Sequence, residues 1–322
     1  MGLIEGLKRR AAAIGGTIVY PEPEDPRIVE AAARVAGEGI AKPILVGPPA
    51  AIPDPLPDGV AAHPIGPSGT LDEFVGDYAR RRGLKAAVAR RLVAKPLFYG
   101  SMMVARGHAH GVVAGISHAT AMVVQAAALT IGYDEGVSSP TSCFIMVVPE
   151  LGGRADVPLI FADCALIVEP TPEELASIAV VAAESARRFL GVVPRVAMLS
   201  FSTHGSASHP AVDRVRQAAE LAAGRLGEGY VDGELQLDTA LVPAVAAKKV
   251  TRESEVAGRA NVLVFPSLDA GNIAYKAVRH LAGAPAIGPI LLGFAKPVSD
   301  LSRGADVNEV VAVTALTVLQ RR

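Results

Sequence analysis

Short apolar runs alternate with longer amphipathic segments along most of this 322-residue chain. The runs at 17–20, 43–47 and 196–200 have the length and composition of buried strands. The segments 26–39 and 211–226 carry apolar residues at helical spacing. Because strands that alternate with helices are joined by crossover connections, the pattern predicts a largely parallel sheet with helices on both faces.

The rest of the chain continues this alternation. A helix is predicted over 71–94 with a break at Gly83, and another over 171–189, which begins with a threonine, a proline and two glutamates. The segment 48–68 is rich in proline and glycine and predicts an irregular loop. Further strands are predicted at 60–64, 111–115, 142–148, 159–162, 229–235, 261–265 and 287–292.

Composition and charge narrow the classes of function. The formal net charge is −1 with both signs spread along the chain, which gives no basic surface for nucleic acid. Aromatic residues make up 4% and tryptophan is missing, which argues against a base-stacking surface. No uninterrupted apolar run reaches the ~18 residues of a membrane span, and residues 1–10 lack the apolar core of a signal peptide. We therefore expect a cytoplasmic protein with no nucleic-acid and no membrane partner.

Two cysteines, Cys143 and Cys164, are the whole cysteine content of the chain. Their spacing matches neither a metal site nor a disulfide framework, and both lie in apolar, strand-like runs. We expect buried thiols in a reducing compartment and no bound metal.

The segment from residue 295 to 311 carries the densest set of chemically useful side chains. Ser302 and Arg303 precede a glycine, and the apolar run 310–319 predicts a buried helix. A helix start attracts anions through unpaired N–H groups, and an arginine offers a planar fork to phosphate or carboxylate. We predict that Ser302 caps this helix, which places Glu309 about two turns into it. An ordinary capped helix with a surface arginine is the alternative.

Three other loops follow predicted strands and are rich in glycine and hydroxyl side chains, at 112–120, 199–206 and 267–276. Ligands of parallel sheets bind beyond the carboxyl ends of the strands, where such loops can hold phosphate through backbone N–H groups. None has the spacing of a P-loop or of a dinucleotide fingerprint, which argues against an oxidoreductase. The loops predict a phosphate-handling site, with ordinary strand-to-helix connections as the alternative.

Several longer motifs are spread over nearly the whole chain. They are Tyr20–Arg27, Ile40–Gly47, Phe161–Ala165, Met198–Thr203, Val231–Gln236, Gly271–Lys276, Ala295–Pro297 and Leu301–Gly304. In this order they resemble the phosphate acetyltransferase and phosphate butyryltransferase family. The Ser-Phe-Ser-Thr and Ser-Arg-Gly segments are more similar to the acetyltransferase branch.

The resemblance implies reversible transfer of an acyl group, most simply acetyl, between coenzyme A and phosphate. Acyl-CoA, phosphate and acyl phosphate are then the partners, coenzyme A is a substrate, and no cofactor is needed. The implied fold is isocitrate dehydrogenase-like, with two α/β domains around a central cleft and mostly parallel sheets covered by helices, usually in a homodimer. We expect residues 1–136 plus 290–322 to form the first domain and 137–289 to form an inserted second domain.

The resemblance also assigns catalytic roles. Ser302 matches a serine that hydrogen-bonds the thiol, and Arg303 matches an arginine that binds phosphate or stabilises the transition state. Glu309 stands where relatives carry an aspartate that is the proposed base. The reaction is expected in a ternary complex without an acyl-enzyme, so neither cysteine is needed as a nucleophile.

A second set of residues is expected to bind substrate: Ser117, His118, Gln125, Lys276, Arg279 and His280. Relatives carry arginine at the positions of Gln125 and His280, and each lost charged hydrogen bond costs roughly 1.5–3 kcal/mol. His280 binds an anion only when protonated, which predicts activity that falls as pH rises through about 6.5.

Two alternatives to an acetyltransferase stay open on the sequence alone. Ser302, Arg303 and Glu309 favour an active enzyme, whereas Gln125 and His280 favour a catalytically silent relative that binds CoA or phosphate for regulation. An acyltransferase for propionyl or butyryl groups is the other alternative. The cluster 80–82 of three arginines is either a contact for CoA phosphates or a solvated charge run.

Overall fold

The computed structural model describes residues 2–135, 137, 139–227 and 230–321. The chain divides into two compact units, a first unit of residues 1–138 and 294–322 and a second unit of residues 139–293. The expected boundary at residue 136 and the predicted strand start at residue 229 lie outside the described residues.

The elements of the described residues are numbered in chain order. The strands are β1 (Thr17–Tyr20), β2 (Lys42–Gly47), β3 (Ala61–Pro64), β4 (Gly111–Ala114), β5 (Thr141–Leu151), β6 (Arg154–Ala162), β7 (Val196–Leu199), β8 (Val231–Leu235), β9 (Val262–Val264), β10 (Ala286–Leu292) and β11 (Val298–Asp300). The helices are α1 (Leu3–Ile14), α2 (Pro26–Gly37), α3 (Gly69–Arg82), α4 (Ala86–Val93), α5 (Pro96–Ala105), α6 (Thr120–Thr130), α7 (Pro172–Ser185), α8 (Pro210–Leu226), α9 (Leu237–Leu241), α10 (Pro243–Lys249), α11 (Leu268–Leu281) and α12 (Val307–Leu319).

The first unit contains five parallel strands in the order β3-β2-β1-β4-β11. Successive side chains of a strand point to opposite faces of its sheet. In β1, Val19 packs against α5, where Gly100 leaves room for it, whereas the next residue, Tyr20, bonds the hydroxyl of Thr314 in α12 at 2.7 Å. The two helices therefore cover opposite faces of these strands.

Helix α12 is largely buried in the first unit. All residues from Val310 to Leu319 are buried. Its two buried threonines, Thr314 and Thr317, donate their hydroxyls to the carbonyls four residues earlier at 2.8 Å, so no hydroxyl there loses its hydrogen bond on burial.

The second unit contains six strands in the order β10-β5-β6-β9-β7-β8. The β10–β5 and β5–β6 pairs are antiparallel and the others are parallel. Strands β5 and β6 form a hairpin whose turn, Gly152–Gly153, has positive φ at both residues, as tight hairpin turns require. A core that includes Phe144, Met146, Phe161 and Phe265 packs between this sheet and its helices.

The predicted mixed α/β fold is confirmed, and two local predictions are among those confirmed with it. Gly83 breaks the helix between α3 and α4 in the left-handed conformation, and Thr171 caps α7 in a reciprocal capping box with Glu174. The sequence predicted neither the length of the β5–β6 hairpin nor strand β11. Both cysteines are buried, and burial raises the pKa of the Cys143 thiol to about 12.

Within the described residues, no helix is long and apolar enough to cross a membrane. The same part of the chain holds no cluster of three or more histidine, cysteine, aspartate or glutamate side chains with the arrangement of a metal site.

Candidate functional site

Three adjacent parallel strands of the first unit, β1, β4 and β11, end at one edge of their sheet. The segment after β1 carries Glu22, and the loop after β4 carries Ser117 and His118. The segment after β11 carries Ser302 and Arg303. The structure therefore brings the predicted binding residues of the β4 loop and the predicted catalytic motif to the same edge, as expected for a ligand site of a parallel sheet.

Glu22 is the centre of this edge and is fully buried. Its carboxylate accepts hydrogen bonds from the backbone N–H groups of Gly115 at 2.8 Å, Ile116 at 3.1 Å and Ser117 at 2.9 Å. The Nδ1 atom of His118 lies 2.7 Å from its Oε1 atom. Four partners fix the β4 loop around one carboxylate.

This arrangement corrects one expectation for the loop at 112–120. Its N–H groups were predicted to hold a substrate phosphate, but the carboxylate of Glu22 already accepts three of them. The loop has the anion-binding geometry that its composition indicates, and the anion is part of the chain itself. What the loop presents outward is the exposed Ser117 and the half-buried ring of His118.

The β4 loop also packs directly on the end of β11. Thr120 donates its hydroxyl to Oδ2 of Asp300 at 2.5 Å. Gly115, at φ +112°, lies so close to Leu301 that a Cβ atom there would come within 2.8 Å of the Leu301 backbone nitrogen. Only glycine combines this conformation with this approach, so the position fixes the loop against the residue before Ser302.

Asp300 is a buried carboxyl group with an incomplete set of partners. It is 1% exposed, and its Oδ1 atom has no hydrogen-bond partner among the described residues. Burial and the negative charge of Glu22 raise its pKa to about 7, against the opposing hydrogen bonds from Thr120 and the Leu301 N–H. The pKa of Asp300 therefore lies close to neutral pH.

Helix α12 begins later than predicted. Asp306, not Ser302, is its N-cap, and it accepts a hydrogen bond from the N–H of Glu309 at 2.8 Å. The prediction that Ser302 caps the helix was wrong, because a carboxylate four residues later takes the capping position. Glu309 consequently lies in the first turn of α12, half-buried, rather than two turns along it.

Ser302 and Arg303 are exposed in a short turn between β11 and α12. The Ser302 hydroxyl accepts a hydrogen bond from the N–H of Gly304 at 3.3 Å. Arg27, from the first turn of α2, donates one guanidinium nitrogen to the carbonyls of Arg303 at 3.0 Å and Ala305 at 2.8 Å. The rest of the same guanidinium bonds both carboxylate oxygens of Asp25, the N-cap of α2.

The other predicted binding residues of the second unit lie together on α11. Lys276 and His280 are exposed and Arg279 is half-buried. The Lys276 ammonium lies 5.8 Å from the ring centre of Tyr275, which in turn stacks on Phe144 at 4.3 Å. All three basic side chains are thus carried by one helix of that unit.

The two segments of the second unit that were predicted to hold phosphate use their polar groups in hydrogen bonds within the chain itself. In the loop 199–206, Glu234 accepts hydrogen bonds from Ser202 at 2.9 Å and from the N–H of Gly205 at 2.7 Å. In the loop 267–276, Ser267 caps α11 and Asn272 donates to the Cys164 carbonyl at 3.1 Å. The polar groups of these two segments therefore stabilise the local structure through hydrogen bonds.

Arg81 and Arg82 of the basic cluster bond the C-terminal end of α6. Arg81 donates to the carbonyl of Thr130 at 3.0 Å, and Arg82 to that of Leu129 at 2.7 Å. These bonds satisfy carbonyls that a helix end leaves unpaired, so the cluster has a structural use. Gln125 is exposed in the middle of the same helix.

Sequence reasoning did not single out Glu22, Arg27 or Asp300 as members of this edge. Each stands inside or beside a motif that the sequence does display, in the acidic segment after β1 or directly before Leu301. What was missing was the pairing of β1, β4 and β11, which no local pattern encodes.

Comparison with known proteins identifies the family of this chain. Residues 3–318 match the family described as phosphate acetyl/butaryl transferase. The chain is 43% identical over 327 residues to a phosphate acetyltransferase of Thermoanaerobacterium thermosaccharolyticum, with 99% of each protein covered. It is 42% identical over 324 residues to one from Paracoccus denitrificans, again with 99% of each covered.

A solved structure agrees with these sequence matches. The crystal structure of a phosphotransacetylase from Streptococcus pyogenes is 37% identical, with a TM-score of 0.90 over 99% of this chain and 97% of that one. The match runs the length of both chains, with the same fold and identities far above chance. The chain therefore belongs to the phosphate acetyltransferase and phosphate butyryltransferase family.

Proposed function

We propose that this protein is an enzyme, a phosphate acetyltransferase that transfers an acetyl group reversibly between coenzyme A and inorganic phosphate. The observation that carries the proposal is the family's Ser-Arg-Gly motif, placed at the carboxyl edge of the first unit's strands and followed by a carboxylate in the first turn of α12. Identities of about 40% over full length to phosphate acetyltransferases support the acetyl group as substrate.

In the direction of acetyl-CoA synthesis, the thiol of coenzyme A must lose its proton before it attacks the carbonyl of acetyl phosphate. A thiol has a pKa of roughly 8.5, so a carboxylate base assists near neutral pH. Glu309 is the proposed base, and Ser302 the hydrogen-bond donor to the developing thiolate. The thiol proton passes to the Glu309 carboxylate while the sulfur–carbon bond forms.

Arg303 is the proposed ligand of the phosphate and of the negative charge that develops on the carbonyl oxygen. Its side chain is exposed, whereas the carbonyl of the same residue is held by Arg27, so the guanidinium extends from an anchored backbone. Well-placed donors to such an oxyanion contribute about 3–4 kcal/mol each to the rate. Collapse of the tetrahedral intermediate breaks the carbon–oxygen bond and releases phosphate.

The substrate-binding roles of Ser117, His118, Gln125, Lys276, Arg279 and His280 belong to the same proposal. The homodimer and the cytoplasmic location stay predictions as well. A silent regulatory relative is the competing proposal, and the exposed Gln125 and His280 in place of family arginines are what favour it.

The test measures turnover of purified protein in both directions, from acetyl-CoA with phosphate and from acetyl phosphate with CoA. We expect turnover of several per second or more, and a loss of about 100-fold or more in Arg303→Ala. Arg9→Ala, an exposed arginine of α1, is the matched control and keeps full activity. Binding of CoA without turnover of acetyl, propionyl or butyryl donors would contradict the proposal and favour the silent relative.

A further inference from the structure

The proposed reaction has a second proton requirement besides the thiol. Acetyl phosphate carries its charge as a dianion, so breaking its carbon–oxygen bond without proton transfer releases phosphate as a trianion. The trianion is a strong base and a poor leaving group, and an acid that protonates the departing oxygen lowers the barrier. Glu309 takes up the thiol proton in this direction, and a second acid at the departing oxygen would protonate it without waiting for Glu309 to pass that proton on.

The Glu22–His118 pair has the features of such an acid. Glu22 accepts three backbone N–H groups, so both of its carboxylate oxygens act as acceptors. The Nδ1 atom of His118, at 2.7 Å, must therefore carry a proton and donate it to Glu22.

The outward nitrogen of this ring faces away from its partner. No described residue hydrogen-bonds Nε2 of His118, and the side chain is 26% exposed. The loop that carries the ring packs on Asp300 and Leu301, directly before Ser302 and Arg303. His118 and Arg303, the proposed phosphate ligand, therefore lie at the same edge of the sheet.

We propose that His118 is the acid that protonates the departing phosphate and that Glu22 is its positioning residue. This inference rests on the proposed function. The Nε2–H proton passes to the oxygen that leaves the acetyl carbon, the carbon–oxygen bond breaks, and hydrogen phosphate departs while His118 becomes neutral. In the reverse direction neutral His118 takes the proton from hydrogen phosphate as that oxygen attacks the thioester carbonyl.

The other described histidines lack this combination. In the first unit, His63 bonds the hydroxyl of Tyr99 and His110 accepts the N–H of Thr17. In the second unit, His204 does meet the carboxylate of Asp232 at 3.0 Å, but the guanidinium of Arg252 shares both groups. The Nε2 atom of His204 is thus already bonded within the protein.

The test compares two acyl donors that differ in their leaving group. Acetyl phosphate needs a proton on the departing oxygen, whereas methyl acetyl phosphate releases methyl phosphate, a weakly basic dianion that leaves without one. In His118→Asn, the amide keeps an N–H for Glu22 but has no acidic proton to transfer. We expect about a 100-fold loss of turnover with acetyl phosphate and CoA, and less than about a 5-fold loss with methyl acetyl phosphate.

Glu22→Gln tests the positioning role by the same comparison and is expected to lose more with acetyl phosphate than with the methyl ester. His209→Asn is the matched control, because His209 is an exposed N-cap of α8 and asparagine is also a good N-cap. His118→Ala with added imidazole gives a second measurement. Imidazolium in solution is expected to restore turnover of acetyl phosphate, which it would not do for a purely structural histidine.

The possible outcomes separate this inference from the proposed function. Wild-type protein that does not turn over acetyl phosphate with CoA overturns the proposed function. An active wild type with equal losses for both donors in His118→Asn, or with no loss, overturns the role of His118 alone. If the wild type does not accept the methyl ester, the test rests on His118→Ala with added imidazole. Failure of imidazole to restore turnover of acetyl phosphate would then overturn the inference.

Discussion

The side chain of Arg27 offers a direct test of how the Ser302–Arg303 turn is held. Its guanidinium donates to the carbonyls of Arg303 and Ala305 at 3.0 and 2.8 Å, while Asp25 holds the other side of the same group. Arg27→Ala removes both bonds and leaves the side chains of Ser302 and Arg303 in place. The change therefore alters the position of the motif and not its chemistry.

The expected size of the effect follows from these contacts. A hydrogen bond from a charged donor contributes roughly 1.5–3 kcal/mol, so two bonds give at most about 3–6 kcal/mol. The Arg27 side chain is 35% exposed, so water replaces part of what is lost. We therefore expect Arg27→Ala to lose about 2 kcal/mol of transition-state stabilisation because the turn is no longer held in place. This corresponds to about a 30-fold loss in kcat/KM.

The assay measures kcat and KM for acetyl phosphate and for CoA, together with the urea midpoint of unfolding. Arg34→Ala is the matched control, since Arg34 also reaches from α2 to the α12 region, where it bonds Asn308 at 2.7 Å outside the Ser302–Arg303 turn. We expect similar small losses of stability in both variants and a loss of activity in Arg27→Ala alone. Full activity of a folded Arg27→Ala would refute the reasoning, as would equal losses of activity in both variants.

Three further predictions concern buried groups. The folded-state pKa of Asp300, about 7 against an ordinary 3.8, means that its contribution to stability is complete below about pH 4 and is lost as pH rises through 7. Urea unfolding at pH 5 and pH 8 should show a loss of stability in wild type that is smaller in Asp300→Asn by up to about 3 kcal/mol, because only the two pH units between 5 and the folded-state pKa contribute. Equal losses in the two proteins would contradict this. Gly115→Ala should lose most activity and unfold at a lower urea concentration. Gly132 also has positive φ but open space around it, so Gly132→Ala should lower the free energy of unfolding by only about 1 kcal/mol. Similar effects of the two changes would argue against a close approach at Gly115. Burial raises the pKa of the Cys143 thiol to about 12 and raises that of Cys164 as well. A thiol reagent at pH 7 should therefore modify neither cysteine in the native protein and should leave activity intact. Inactivation by the reagent would show an exposed thiol.

The local patterns predicted the elements well where one segment contains the whole signal. The helix start at Thr171 needs only residues three apart, and the break at Gly83 needs only the freedom of glycine at positive φ. The same local reasoning failed at Ser302, because two good caps stand four residues apart and only the path of the chain after β11 decides between them.

The expected phosphate loops illustrate a second limit. The sequence identified loops with the composition to bind an anion, and in two of them the anion is a carboxylate of the chain, Glu22 in one and Glu234 in the other. These carboxylates lie far from their loops in sequence, so composition cannot tell an internal partner from a substrate.

The sequence by itself determined the α/β class, the buried cysteines and, through its motifs, the family and the Ser302–Arg303 pair. These features depend on residue periodicity and on short motifs, which are local properties of a chain. The tertiary structure alone decided that Glu22 lies beneath His118, that Arg27 holds the Arg303 carbonyl, and that Asp300 is buried beside another carboxylate. Each of these depends on which strands become neighbours, and strand pairing is set by the burial of the whole sheet rather than by any segment within it.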